Sequence, residues 1–422
     1  MQLRPQFQHH LAQLSWPARA RPHRVLASPG GFSRLAATLF VFLTMVATAA
    51  VPTNCAVASE AAPKTKARQA ILLDVASGAV MFERDADERA PPASMSKLMT
   101  LAVVFRALKT GQLKLDDEFT MSENAWRNGG APSGTSAMMV PINTREKLSE
   151  LLLGIIVQSG NDAAMAVAEG IAGSEGAFAE MMNAEAKRIG LTSSTFRNAT
   201  GLFHPEHLMT ARDLGRLAVY LITTYPEYYP MFAEKEFKYR RHKFANRNPL
   251  VFLDIGVDGL KTGHLKVSGH GLVASARQGD RRLVLVVNGL ETANDRREEG
   301  RRLLEWGFRG FNTFKLFDAD EVIGQARVWG GEKLYVPLVG KGDVTVVLPR
   351  FPPNQRLRAE IFYKGPLKPP LKKGEEVAKL RVSSTGGATN EVPLYAAEAV
   401  ERAGVVRRGL DSLAHLATSW IP

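Results

Sequence analysis

The sequence predicts an α+β chain carrying an added all-β module, and three observations carry that prediction. Strand-type runs at 70–82 give way to a block of helical periodicity between 94 and 221, and strands return from Phe237 until a basic helix at 296–308. After Phe311 the composition changes, with short β-prone runs alternating with Gly and Pro turns. Residues 396–422 then go back to helical spacing. At 422 residues, 45% apolar and 23% charged, the chain has the composition of a globular protein with room for two or three domains.

Met1 to Arg34 holds five arginines and no acidic residue; the apolar run Leu35 to Val51 and the small residues Ala56-Val57-Ala58 follow. That is the order of a secretory signal peptide over 1–58, cut after Ala58, with Ala47-Thr48-Ala49 as a second possible site. An uncleaved anchor is the alternative, the apolar run being close to the shortest that spans a bilayer. The single cysteine, Cys55, lies in this leader, so a chain starting at Ser59 has neither disulfide nor thiol chemistry. Losing the five arginines lowers the formal charge from +12 to +7. The remaining excess is scattered, which argues against a nucleic-acid groove and suits adsorption to anionic lipid or an acidic wall polymer.

Two apolar runs, Ala70-Ile71-Leu72-Leu73 and Val80-Met81-Phe82, flank a glycine-bearing loop and predict a β-hairpin. A helix opens at Ser94 and stops near Gly111, and glycine-rich 127–134 reads as loop. Asn143-Thr144-Arg145-Glu146 predicts a capping box for a helix through Ile156, broken at Gly160, with another starting at Asp162. Further helices are predicted over Glu175–Ile189 and from a Thr210 cap to about Leu221. Strands at 272–276 and 283–287 join through Gln278-Gly279-Asp280. These elements make one domain over 59–311. Runs at 333–338, 344–348 and 357–363 predict a small β-sandwich over 312–395. In 396–422, Val406, Leu410, Leu413, Ala417, Trp420 and Ile421 share one helical face, opposite Arg408, Asp411, Ser412, His415 and Ser419. Such a helix lies in a membrane interface, or docks on its own domain.

The chemistry centres on Ser94-Met95-Ser96-Lys97. On a helix Ser94 and Lys97 share a face, so the amine reaches the hydroxyl. Alone, this Ser-x-x-Lys reads first as a helix cap beside a solvated lysine. Ser159-Gly160-Asn161 and then Lys261-Thr262-Gly263 follow in order, and the three together point to acyl transfer. No histidine or aspartate lies near Ser94 in sequence, so Lys97 is the candidate base, provided that burial and a second cation such as Lys261 keep it neutral. Ser159 is a candidate proton relay and Asn161 a candidate partner for a substrate amide. Lys261-Thr262-Gly263 on an edge strand lets a substrate add as a further strand, and the N–H groups of Ser94 and His264 are candidate oxyanion donors.

Pro92-Ala93-Ser94-Met95-Ser96-Lys97, Ile156-Val157-Gln158-Ser159-Gly160-Asn161-Asp162 and Asp258-Gly259-Leu260-Lys261-Thr262-Gly263-His264 carry a closer likeness. The chain resembles the low-molecular-mass penicillin-binding proteins that are serine-type D-alanyl-D-alanine carboxypeptidases, from about Arg68 to its end. The resemblance implies a penicillin-binding/β-lactamase-like transpeptidase domain, a β-rich second domain and a membrane-anchoring tail helix. It implies Ser94, Lys97, Ser159 and Asn161 as catalytic residues, with Lys261, Thr262, Gly263 and His264 binding substrate. Asn246-Arg247-Asn248 is similar to a family element in which Arg247 helps bind the terminal carboxylate. Arg296 matches a family arginine only loosely, with Arg297 beside it. The implied substrate is the peptidoglycan stem pentapeptide, the implied inhibitors are β-lactams, and no cofactor or metal is implied. The implied location is the periplasm, on the outer face of the inner membrane.

Two other readings stand beside this one. A class A β-lactamase would need a glutamate-bearing loop between the second and third motifs, whereas 198–210 offers only Glu206, within His204-Pro205-Glu206-His207. A catalytically silent peptidoglycan-binding protein would be expected to have lost Ser94 or Lys97. His204 and His207 read as surface residues rather than metal ligands, Met138 and Met139 as core or pocket wall, and Arg240-Arg241-His242-Lys243 as a solvated strand edge.

Overall fold

The computed structural model describes residues 63–350, 356–384 and 389–404, so the predicted signal peptide lies outside the described residues. In chain order the first domain runs β1 (Gln69–Asp74), β2 (Val80–Arg84), a 3₁₀ turn (Ala93–Ser96), α1 (Lys97–Lys109), β3 (Glu118–Thr120), α2 (Glu123–Gly129), β4 (Arg145–Lys147) and α3 (Leu148–Leu153). A π segment (Gly154–Gln158) leads to α4 (Asn161–Ala172), α5 (Glu175–Ile189) and α6 (Ala211–Thr224). Then come β5 (Glu236–Tyr239), β6 (His242–Ala245), β7 (Val257–Leu265), β8 (Gly269–Gln278), β9 (Arg281–Leu290) and α7 (Ala293–Gly310).

The central sheet has the order β2-β1-β9-β8-β7, which leaves β7 and its Lys261-Thr262-Gly263 on an edge. All its pairings are antiparallel. Its inner strands are continuous apolar runs because both faces are covered. Alternate residues serve different cores: Ile71, Leu73, Val273, Val284 and Val286 pack with the helical block, while Ala70, Leu72, Leu272, Leu283, Leu285 and Val287 pack under Leu303, Leu304 and Trp306 of α7. Within the block, α1 is apolar all round and buried along nearly its whole length, as a central helix must be.

Some predicted elements form differently. Thr144 and Glu146 build no capping box: residues 145–147 pair with β3 as a short strand, and the helix starts after Lys147. Glu146 instead accepts hydrogen bonds from Tyr239 and Arg240. The glycine-rich 127–134 stretch is partly the end of α2, capped by Ser122, and a 3₁₀ turn at Ala131–Ser133.

The β module comprises β10 (Phe311–Phe317), β11 (Gly324–Arg327), β12 (Tyr335–Val339), β13 (Val344–Pro349), β14 (Leu357–Phe362), β15 (Glu376–Ser384) and β16 (Thr389–Ala396). A β10-β13 ribbon and a five-stranded sheet, β11-β12-β16-β15-β14, enclose Ala326, Val336, Leu338, Val346, Leu380, Val382 and Leu394. Buried Asn390 stitches the two sheets, accepting from Val347 N at 3.1 Å and donating to Val347 O at 3.0 Å. The predicted start of the tail helix at Ala396 is corrected here. Val400 bridges to Leu371, Ala403 N donates to Gly330 O, and both side chains enter the fold. Residues 396–404 therefore finish the β module rather than open a helix, and 405–422 lie outside the described residues. Among the described residues, no helix is long and apolar enough to cross a membrane.

Candidate active site

Ser94 and Lys97 meet because the chain enters α1 through a 3₁₀ turn. With three residues per turn, positions i and i+3 eclipse, and the turn is reached through Ala93 at φ +52°. Lys97 Nζ lies 3.1 Å from Ser94 Oγ and also donates to Asn161 Oδ1 at 2.6 Å and to Thr200 O at 2.5 Å. Lys97 is fully buried, while Ser94 is half-buried and reachable. A neutral amine has two N–H groups and one lone pair. Asn161 and Thr200 take the N–H groups, so the lone pair is left for the serine hydroxyl. Burial brings the Lys97 amine down to about 7; Glu175 opposes this, Arg247 adds to it and Asp162 opposes it. The cation expected to depress Lys97 was Lys261, but the one acting on it is Arg247, and Lys97 itself helps to hold Lys261 down.

The second motif sits where the π segment ends. Ser159 takes a left-handed conformation, φ +65°, which stops the helix and turns the chain into α4 at Asn161. Its Oγ is buried and has no hydrogen-bond partner among the described residues, so no relay through it is closed in the free protein. Asn161, read from sequence as a partner for substrate, is largely occupied: its Oδ1 receives Lys97 and its Nδ2 donates to Thr135 Oγ1 at 2.9 Å. Asp162, in the first turn of α4, is buried and accepts from the N–H groups of Met138, Val140 and Ala163.

The third motif faces the 3₁₀ turn across a narrow gap. A Cβ on Gly263 would stand 2.8 Å from Pro92 O, so only glycine lets edge strand β7 come this close. Thr262 and Lys261 are buried, and among the described residues Lys261 Nζ donates only to Thr262 O, at 3.3 Å. Burial holds this amine well below the usual lysine range, and the charges of Lys97, Arg247 and Arg296 add to the effect. Arg247 is set by its neighbours: Asn246 Nδ2 donates to Glu234 O and Asn248 Nδ2 to Gly259 O. Its own Nε reaches Gln158 Oε1 at 3.3 Å. His264 is exposed, its ring stacked on His270 at 4.1 Å.

Several participants escaped sequence reasoning. Thr200 contributes a main-chain carbonyl, which has no side-chain signature. Thr135 and Glu175 belong to no motif, and half-buried Arg296 on α7, whose Nε has no partner among the described residues, had only a loose match. Gly201 was the one available signal. At φ +76°, a Cβ there would lie 2.0 Å from Ala93 O, so the 196–202 loop is pressed against the Ser94 turn. His207, expected at the surface, is buried against Phe196, and burial pushes its imidazole down to about 4.

A reachable serine against a buried amine, beside a sheet edge where Lys261 feels the charges of Arg247 and Arg296, is the arrangement of a serine-type acyl-transfer enzyme. Comparison with known proteins narrows the class. Residues 56–292 match the D-alanyl-D-alanine carboxypeptidase family, and 311–402 match the C-terminal domain of penicillin-binding protein 5. The chain is 40% identical over 353 residues to D-alanyl-D-alanine carboxypeptidase DacC of Escherichia coli, covering 83% of this chain and 88% of that protein. It is 36% identical over 354 residues to D-alanyl-D-alanine carboxypeptidase DacA of Haemophilus influenzae, covering 83% and 89%. The solved structure of penicillin binding protein 5 from Haemophilus influenzae superposes with a TM-score of 0.70 at 35% identity, covering 81% of this chain and 99% of that one. The chain belongs to the D-alanyl-D-alanine carboxypeptidase family.

Proposed function

We propose that this serine-type D-alanyl-D-alanine carboxypeptidase removes the terminal D-alanine from peptidoglycan stem pentapeptides through an acyl-enzyme on Ser94. The observation that carries this is the Ser94 Oγ to Lys97 Nζ contact at 3.1 Å, with both other donors of the amine already directed to Asn161 and Thr200. Lys97 takes the serine proton as Oγ attacks the carbonyl carbon of the penultimate D-alanine. The C–N bond breaks, the proton passes to the leaving D-alanine amine, and water then hydrolyses the ester. Ser159, whose buried Oγ has no hydrogen-bond partner among the described residues, carries that proton. The substrate adds along edge strand β7 beside Thr262 and Gly263, with its terminal carboxylate toward Lys261 and Arg247. The N–H groups of Ser94 and His264 receive the oxyanion. β-Lactams acylate the same serine.

Glu206 supports hydrolysis of peptide over penicillin turnover. It is ion-paired to Arg197 at 3.1 Å and exposed, which leaves it unsuited to activating a deacylating water. The reading extends to export by the 1–58 leader and to attachment on the periplasmic face of the inner membrane by the amphipathic pattern in 405–422; both rest on sequence pattern alone.

A fluorescent penicillin tests the site directly. The wild-type chain is expected to take one covalent label, and Ser94→Ala to take none. A label that survives that substitution overturns the assignment of the nucleophile. D-Alanine release from a soluble pentapeptide without rapid penicillin turnover separates a carboxypeptidase from a β-lactamase.

A further inference from the structure

We propose that Glu175 is a positioning residue for Lys97, acting through the main chain of Ala199 and Thr200 and through its own negative charge. Glu175 opens α5, outside all three motifs, yet its Oε1 accepts the N–H of Ala199 at 2.9 Å. One residue further along the chain, the carbonyl of Thr200 is the one that receives Lys97 Nζ. The loop is held on its other sides too. Thr100 Oγ1 donates to Ala199 O at 2.7 Å, Asn183 clasps both main-chain groups of Phe196, and Asn198 Oδ1 gathers the N–H groups of Thr200 and Gly201. Glu175 is the ionisable member of this set, its carboxyl pKa raised by burial and lowered by the Ala199 N–H and by Lys97.

The titratable and charged groups around Lys97 come from five elements: Glu175 on α5, Asp162 on α4, Arg247 ahead of β7, Lys261 on β7, and His207 on the loop after α5. Asp162 is committed to main-chain N–H groups. Glu175 is the stronger of the two carboxylates acting on the amine, and it works against both burial and Arg247. The enzyme therefore keeps the Lys97 amine near neutrality rather than letting burial drive it lower. A stronger base takes the serine proton more readily, and its conjugate acid is still able to return that proton to the leaving amine.

This inference rests on Lys97 being the base, and the experiment keeps the two apart. Acylation of the full chain by a fluorescent penicillin is followed against pH for the wild type, Glu175→Gln, Glu175→Asp and Glu175→Ala, with thermal melts alongside. Glutamine keeps an acceptor for Ala199 N–H but removes the charge. Its acid limb is expected to move to lower pH by about 0.5 unit or more, which is about threefold faster acylation on that limb. Aspartate keeps the charge and leaves the limb in place. Alanine loses the latch as well and is expected to acylate more slowly at every pH. A Glu175→Gln limb that superposes on the wild type, moves to higher pH, or falls uniformly without shifting overturns the proposal. If Glu175→Gln does not fold, a Glu175→Asp limb that moves to lower pH overturns it, and one that stays in place supports it. Wild-type protein lacking Ser94-dependent labelling would instead overturn the reading of the site.

Discussion

Lys97 contributes only in its neutral form, since an ammonium has no lone pair to take the serine proton. Burial brings its amine to about 7, with Arg247 adding to the effect and Glu175 and Asp162 resisting it. The sign follows from these: the neutral fraction falls about tenfold per pH unit below that value and saturates above it. Acylation by penicillin should therefore rise with pH through a midpoint near 7 and then level off. Lys97→Arg keeps the charge and the donors but stays cationic at every accessible pH. It should lower the acylation rate by on the order of 10²–10⁴-fold and abolish the limb. A Lys97→Arg enzyme with a normal rate in stopped-flow acylation would show that another group takes the proton.

At the scale of elements, the site is a meeting of four short, irregular pieces: the 3₁₀ turn before α1, the π segment before α4, the edge of β7 and the 196–202 loop. Three were legible because chemistry places recognisable side chains on them. Ser94, Lys97, Ser159, Asn161 and Lys261 carry their chemistry on side chains at a fixed spacing; hydrogen bonds join Ser94, Lys97 and Asn161, and Gly263 of β7 stands against the Ser94 turn. The fourth piece offers Lys97 a main-chain oxygen, which any residue supplies, so nothing at Thr200 marks it. The same reasoning explains the failed capping box at 143–146, where pairing with β3 and the demands of Tyr239 and Arg240 on Glu146 outweighed a local helix signal. Gly201 provides the test of the fourth piece. Gly201→Ala puts a methyl 2.0 Å from Ala93 O at a φ that disfavours any side chain, a cost of about 1–3 kcal/mol in strain alone. The expected result is a lower melting temperature together with slower acylation, because relief of the clash moves either the Ser94 turn or the Thr200 carbonyl. Unchanged acylation in a folded Gly201→Ala protein would mean that the loop does not hold Lys97.

For the whole molecule, the α+β body and the β module were legible from the order of periodicities, because the sheet is buried on both faces and its strands had to be continuous apolar runs. The far boundary of the module was not. Residues 397–403 carry no strand alternation; they belong to it through Val400 against Leu371 and through Ala403 bonded to Gly330, contacts made at long range in sequence. This decides where an anchor test must cut. A chain ending before Ala396 would lose the last residue of β16 and the cover over Leu371, exposing the core of the module, so release of that truncation from membranes would report misfolding as much as a missing anchor. A chain ending at Gly404 keeps every described contact of the module. It should fold, take penicillin on Ser94 at the full rate, and move from the membrane fraction to the soluble periplasmic fraction. Retention on the membrane at undiminished labelling would place the attachment elsewhere than in 405–422.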